Sequence, residues 1–273
     1  MIATRTRMTV HRTTVLVAAL TLSACSGGGS SSSSVPATAS PTTAPTSTPT
    51  QTLSGNFAGS TTDSVDGSGY VSLQINQSGS QASGYWGSVS PSSGFVNGGT
   101  LSGSISGETL TAVATSQVTN GCSVNVTGTL ASGTITGKYT GIGTGCTSDT
   151  GTFTTQAITV PTLGTYTGTI ADSVGGNGAL SLTLTQNTVF LQGSWSDYSF
   201  ANASYGSSGT VYGAVIGNNQ IAFGAIPTSP TACRFVAIGT LSGTTIAGRY
   251  AAPTTGTYAC SAPDTGTFSV TEH

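Results

Sequence analysis

The chain has 273 residues, of which 39 are glycine and only 5% are charged. Three basic and eight acidic side chains follow residue 25, a net charge of −5, which excludes a nucleic-acid-binding protein because such proteins need a basic surface. The one histidine after residue 25 is His273. Histidine-based nucleophilic catalysis therefore lacks its base, and we expect no enzymatic activity, no cofactor and no metal site.

Residues 1–24 have the pattern of a signal peptide. Basic residues precede an apolar run, Thr13–Leu22, that is too short to span a bilayer. The run ends in Leu22-Ser23-Ala24-Cys25, which resembles the lipobox of bacterial lipoproteins. The resemblance implies that Cys25 begins the mature chain and carries a lipid such as palmitate, which anchors the protein to a membrane of the cell envelope. Ser26 favours the outer membrane where there are two; the alternative is an ordinary secretory signal.

Residues 25–52 are rich in serine, threonine, proline and glycine and have almost no large apolar side chains. Such a segment cannot bury enough apolar surface to offset the entropy lost on ordering. We expect a flexible tether between the lipid anchor and the folded part.

The remainder is a tandem repeat, residues 53–157 and 162–271. Gly84-x-Trp86 matches Gly193-x-Trp195, and D-T-G-T-F occurs at 149–153 and again at 264–268. A period of about 110 residues is the length of a small domain rather than of a solenoid unit. The sequence therefore predicts two similar domains.

Within each repeat, apolar residues alternate with serine and threonine, which is typical of half-buried strands. We predict an all-β fold of two tandem eight-stranded antiparallel up-and-down β-barrels; meander β-sandwiches are the alternative. Inward glycines between large apolar residues suit a narrow barrel. In the first repeat the predicted strands are 56–62, 69–77, 81–88, 98–106, 109–116, 122–131, 134–142 and 150–156. The G-x-Y-x-G and G-x-W patterns resemble the barrels of the avidin and lipocalin-like group, a resemblance that covers architecture alone and implies no biotin site.

Four cysteines remain after Cys25, two in each repeat at matching places. In an exported protein this predicts the disulfides Cys122–Cys146 and Cys233–Cys260. Each would close a loop of about 25 residues and stabilise the fold by roughly 3–4 kcal/mol in the chain-entropy model.

The triplets that begin at Asp149 and Asp264 resemble the active-site triplets of aspartic proteases, but here they follow polar loops and open a last strand. We interpret both aspartates as strand starts that accept hydrogen bonds from a turn, with Gly151 and Gly266 facing inward. We interpret Asp63 and Asp172 as turn caps. The alternative is a Ca²⁺ site formed by clustered loop carboxylates, to which Asp66 would add one in the first repeat.

The longer connections follow the odd-numbered strands and should emerge at one end of each barrel, called here the loop end. Repeat two is richer in aromatic residues there, which suits a glycan or a small amphiphile. We predict a lipid-anchored, non-catalytic binding module. For the aromatic residues, the alternative is that their rings cap the barrel or pack on the other domain. For the protein as a whole, the alternative is a structural or protein-interaction component without a small ligand. The predicted ligand-site residues are Trp195, Asp197, Tyr198, Phe200, Tyr205, Arg234 and Tyr258.

Overall fold

The computed structural model describes residues 52–144, 146–197, 207–229, 232–256, 258–261 and 264–273. The secondary structure of these ranges consists of β-strands, and within them no helix is long and apolar enough to cross a membrane. Both repeats belong to one compact unit, Thr48–His273.

The first repeat forms barrel one, a closed sheet of eight antiparallel strands in chain order. The first strand closes the barrel by pairing with the eighth, with Gly59 opposite Thr155. The predicted barrel is confirmed, and the alternative of a sandwich is wrong. The strands are β1 (Gly55–Asp63), β2 (Gly67–Ser78), β3 (Gln81–Ser90), β4 (Phe95–Ser106), β5 (Thr109–Ser116), β6 (Ser123–Ala131), β7 (Thr134–Ile142) and β8 (Thr150–Ala157).

The second repeat forms barrel two with the same topology. Its first and last strands pair with Gly168 opposite Val270, the positions that match Gly59 and Thr155. The strands are β9 (Thr165–Asp172), β10 (Gly176–Asn187), β11 (Phe190–Asp197), β12 (Ser208–Gly217), β13 (Gln220–Pro227), β14 (Phe235–Ser242), β15 (Thr245–Ala251) and β16 (Thr265–Glu272).

The period-two pattern located the strands of barrel one closely. Strands β5 and β7 have the predicted bounds, and the largest difference is that β4 begins at Phe95 rather than at residue 98. On β5, Ala112 and Ala114 are buried while Val113 between them is 40% exposed. Apolar side chains on one face of each strand thus fill the barrel, as expected for a sheet with one solvated face.

Glycine at the inward positions is a steric requirement where neighbouring strands coil most tightly. A Cβ atom at Gly59 would lie 2.0 Å from the carbonyl oxygen of Thr154, and one at Gly168 would lie 2.0 Å from that of Ser269. Because no side chain tolerates such a distance, both strands need glycine where they bend across the last strand.

The barrels contact each other through apolar side chains on their outer faces. Val89 and Val96 of barrel one are buried against Ala214, Ala222 and Val236 of barrel two. At the same contact, a Cβ atom on Gly98 would lie 2.3 Å from the ring of Phe190. The serine- and threonine-rich outer positions predict mostly solvated outer faces, and this interface is an exception to that prediction. Its sequence signal is the unbroken apolar run of β12 and β13, which is typical of strands buried on both faces.

Candidate functional site

Trp195 lies where the sequence predicted, at the loop end of barrel two. Its side chain is 7% exposed and lines a cavity of about 50 Å³ together with Leu180, Phe235 and Tyr250. The described side chains of this cavity include no Asp, Glu, Lys or Arg. Barrel two therefore has a small apolar hollow below its long loops, far short of the ~300–1,000 Å³ typical of small-molecule pockets.

The indole N–H of Trp195 is buried and has no hydrogen-bond acceptor among the residues that the structure describes. The matching Trp86 in barrel one donates its indole N–H to the carbonyl oxygen of Thr115 at 3.3 Å. An unpaired buried donor costs on the order of 1–3 kcal/mol. The two equivalent tryptophans thus both fill their barrels, but only the indole N–H of Trp86 is hydrogen-bonded within the described residues.

Arg234 and Tyr258 form a pair beside this hollow rather than inside it. The guanidinium carbon of Arg234 lies 3.5 Å from the centre of the Tyr258 ring, a cation–π contact. Neither residue lines the cavity. Tyr258 also approaches barrel one, where a Cβ atom on Gly94 would lie 3.5 Å from the Cβ atom of Tyr258. The Cβ atom of Tyr258 therefore lies beside barrel one, while its ring contacts Arg234 of its own barrel.

The rest of the predicted ligand site is outside what can be described. The backbone of Asp197 ends β11 opposite Leu180, but its side chain is not described. Tyr198, Phe200 and Tyr205 lie outside the described residues.

Both predicted disulfides are present. Cys122 and Cys146 are joined with a Cα–Cα distance of 5.7 Å, and Cys233 and Cys260 with 5.6 Å. Each ties the connection before the last strand to the start of the sixth strand at the loop end of its barrel.

The turn-cap interpretation of Asp63 and Asp172 is confirmed. Oδ1 of Asp63 accepts the backbone N–H groups of Val65 at 2.6 Å and Asp66 at 2.7 Å. Oδ1 of Asp172 accepts that of Val174 at 2.7 Å. These bonds are those of an Asx turn, which fixes the loop after the first strand of each barrel.

Asp149 immediately precedes the last strand, as predicted, because β8 begins at Thr150. The expected hydrogen bonds from a turn are not found at its Oδ1 atom, which has no partner among the described residues. Its side chain is instead 8% exposed and lines a cavity of about 50 Å³ at the loop end of barrel one. Asp63 and Asp66 line the same cavity. The aspartate of the D-T-G triplet therefore joins the loop carboxylates of its own barrel. The predicted pairing of the first and last strands already places the triplet beside the loop after the first strand, whereas the burial of Asp149 had no sequence signal.

Burial and mutual proximity shift the pKa values of these three carboxyl groups in different directions. Burial, then a hydrogen bond and charge repulsion from Asp63, raises the pKa of Asp149 to about 7. Burial alone would raise the pKa of Asp63, but hydrogen bonds from Asp149, Tyr139 and the turn lower it. Burial, with the charge of Asp63, raises the pKa of Asp66. Between about pH 5 and 6 the pair Asp63–Asp149 thus holds one proton, which it loses as the pH rises through about 7.

Barrel two repeats the pair, and Oδ2 of its buried Asp264 likewise has no hydrogen-bond partner among the described residues, although Oδ1 has one in Ser173. Burial and the charge of Asp172 raise the pKa of Asp264, against a hydrogen bond from Ser173 that lowers it. The Ser173 hydroxyl donates to Oδ1 of Asp264 at 2.9 Å, whereas the matching Ser64 donates to the carbonyl oxygen of Ser148. Barrel two also has Gly175 in place of Asp66. Its carboxyl pair does not line the cavity.

The protein is a tandem pair of closed, eight-stranded antiparallel barrels. This architecture fits that of the avidin and lipocalin-like group. The sequence matches no protein-family model, and no curated protein shows significant similarity to it.

Proposed function

We propose that the chain is a lipid-anchored, non-catalytic binding module of the cell envelope, with a ligand site at the loop end of barrel two. Support for the location comes from the sequence: a lipobox that ends at Cys25, a tether of small residues, and paired cysteines in each repeat. Incorporation of labelled palmitate into the protein, lost in Cys25→Ser, tests the anchor.

The observation that carries the ligand site is the unpaired indole N–H of Trp195 above an apolar hollow. A ligand with an oxygen acceptor and an apolar body would satisfy the donor and cover apolar surface. This chemistry fits an alkyl glycoside, which joins a sugar to an aliphatic chain. The rings at Tyr198 and Tyr205 follow Trp195 closely in the chain and suit stacking on a sugar.

The alternative function is a structural or protein-interaction component of the envelope without a small ligand. The small volume of the two cavities, about 50 Å³ each, favours this alternative, because a barrel whose interior is filled by its own side chains leaves little room for a ligand.

Octyl glucoside below its micelle concentration distinguishes the two. The chain has two tryptophans, so Trp86→Phe leaves Trp195 as the fluorescent reporter. A saturable fluorescence change that Tyr198→Ala and Tyr205→Ala abolish, at a nearly unchanged melting temperature, supports the ligand site. Phe95→Ala, at the first residue of β4 after the corresponding loop of barrel one, is the matched control and should bind normally. An absent or unsaturable response favours the structural alternative.

A further inference from the structure

The cavity at the loop end of barrel one differs in chemistry from its counterpart in barrel two. Its walls include the carboxyl groups of Asp63, Asp66 and Asp149, and they include no lysine, arginine or histidine. The cavity of barrel two has no carboxylate among its described side chains. Three acidic groups that face one enclosed space without a counter-ion create a negative potential, which the apolar walls focus.

One of these groups has a hydrogen-bonding capacity that the protein leaves unused. Asp149 is 8% exposed, and its Oδ1 atom has no partner. In contrast, both oxygens of Asp63 are engaged, one by the turn amides and the other by the Tyr139 hydroxyl at 2.6 Å. A buried carboxyl oxygen without a donor is costly. Oδ2 of Asp264 is also unpaired, but Asp264 does not line the cavity of barrel two, whereas Asp149 lines that of barrel one. The orphan atom of Asp149 therefore marks a point that a donor from outside the chain could reach.

The walls favour an organic cation over a metal ion. Among the described residues, no three His, Cys, Asp or Glu side chains come together as a bound metal would need. Below the carboxyl groups the cavity is lined by aromatic and aliphatic side chains, Trp86, Phe95 and Phe153 among them. Aromatic faces attract ammonium groups and tolerate the adjoining methylenes. A volume of about 50 Å³ accommodates only an ammonium head with one or two methylenes, so the rest of a longer chain would extend out of the loop end.

We propose that the loop end of barrel one binds the primary ammonium group of a small aliphatic amine, with the unpaired Oδ1 atom of Asp149 as the hydrogen-bond acceptor, the carboxylate of Asp63 as a neighbouring negative charge, and the aromatic wall around Trp86 in contact with the methylenes. This site is separate from the one in barrel two, and either can exist without the other.

Butylammonium is the probe, and Trp195→Phe leaves Trp86 as the reporter inside the cavity. We expect a saturable fluorescence change at pH 8 and about tenfold or more weaker binding after Asp149→Asn, because a charge-assisted hydrogen bond is lost. Asp264→Asn makes the same change at the matching position of barrel two and should leave binding unchanged. Asp66→Gly, which copies the residue of barrel two, should weaken binding by a smaller factor without disturbing the turn.

Three comparisons test the assigned chemistry. Butanol has the same aliphatic chain without the charge and should not bind, and tetramethylammonium has the charge without N–H donors and should bind much more weakly. Binding should strengthen between pH 5 and pH 8, as Asp149 ionises beside Asp63, Asp66 and Tyr139, because burial and the neighbouring carboxyls raise the pKa of Asp149 to about 7.

Several outcomes would overturn the proposal: no saturable response to butylammonium at pH 8, an equal loss in Asp264→Asn, equal binding of butanol, or binding of Ca²⁺ alone. Melting curves show whether Asp149→Asn is folded. If it is not, Asp66→Gly decides, and its unchanged affinity would count against the site.

Discussion

The hydroxyl of Tyr139 donates a 2.6 Å hydrogen bond to Oδ2 of Asp63, although β8 lies between the strands that carry them. The tyrosine ring reaches over β8 at Gly151, where a Cβ atom would lie 2.3 Å from the ring. Tyr250 bonds Oδ2 of Asp172 in the same way at 2.5 Å. The D-T-G triplet is thus a crossing point: its glycine lets a tyrosine pass over the last strand to hold the first loop.

Removing the tyrosine hydroxyl should loosen that loop. For Tyr139→Phe we expect a loss of about 1–3 kcal/mol in the free energy of unfolding, since a hydrogen bond to a charged acceptor is lost, and a similar loss for Tyr250→Phe. Urea denaturation gives both values. Tyr85→Phe on the outer face of β3 is the control and should change stability little. Equal stability of Tyr139→Phe and the parent protein would contradict the expectation.

The triplet glycine should be as sensitive as the tyrosine that it accommodates. In Gly151→Ala the new methyl group would overlap the Tyr139 ring and approach the Thr62 carbonyl oxygen at 2.6 Å, so the ring must move or the strands must separate. We expect a loss of roughly 1–3 kcal/mol, the usual range for an overpacked core. Gly217→Ala is the control, because its nearest neighbour is the flexible side chain of Gln220. If Gly151→Ala melted like the control, the crossing would not need glycine.

Asp149 should make the stability of the protein depend on pH. Because burial raises its pKa in the folded state to about 7, the folded state binds this proton more tightly than the unfolded state does, and its contribution to stability is lost as pH rises from about 4 through 7. Asp149→Asn should therefore gain stability over the parent at pH 8 and lose that advantage at pH 4. Thermal unfolding across this range measures the difference.

The control for this pH series is Glu108→Gln, which removes one charge from an exposed turn of barrel one. Its unfolding curve should shift little relative to the parent at every pH. Parallel pH profiles for the parent and Asp149→Asn would contradict the raised pKa of Asp149.

The interface between the barrels should make them unfold together. Val96 is 2% exposed at that contact, whereas Val113 is 40% exposed on the outer face of β5. Val96→Asp places an unpaired charge in a buried apolar contact, at a cost of about 3–5 kcal/mol, and should separate one melting transition into two. Val113→Asp should change the free energy of unfolding by less than about 0.5 kcal/mol. Calorimetry distinguishes one transition from two, and a single unshifted transition in Val96→Asp would contradict the coupling.

The sequence by itself determined the strand positions, the two-domain organisation and the disulfide pairs. Alternating apolar residues place strands wherever a sheet buries one face, and the repeat with its paired cysteines predicted two barrels with one disulfide each, because matching segments of one chain fold alike. The close agreement at β5 and β7 follows from that pattern.

Tertiary structure decided which residues meet. The barrel closure brings Asp149 to Asp63 across 86 residues of sequence, and neither neighbourhood carries a local signal of the other, since the period-two pattern sets the face of a residue and not its height in a barrel. The docking of the barrels is likewise decided by complementary outer faces. The sequence predicted only that the D-T-G triplet starts a strand. The closed sheet adds that Gly151 lies under the Tyr139 ring, which crosses the last strand at this point.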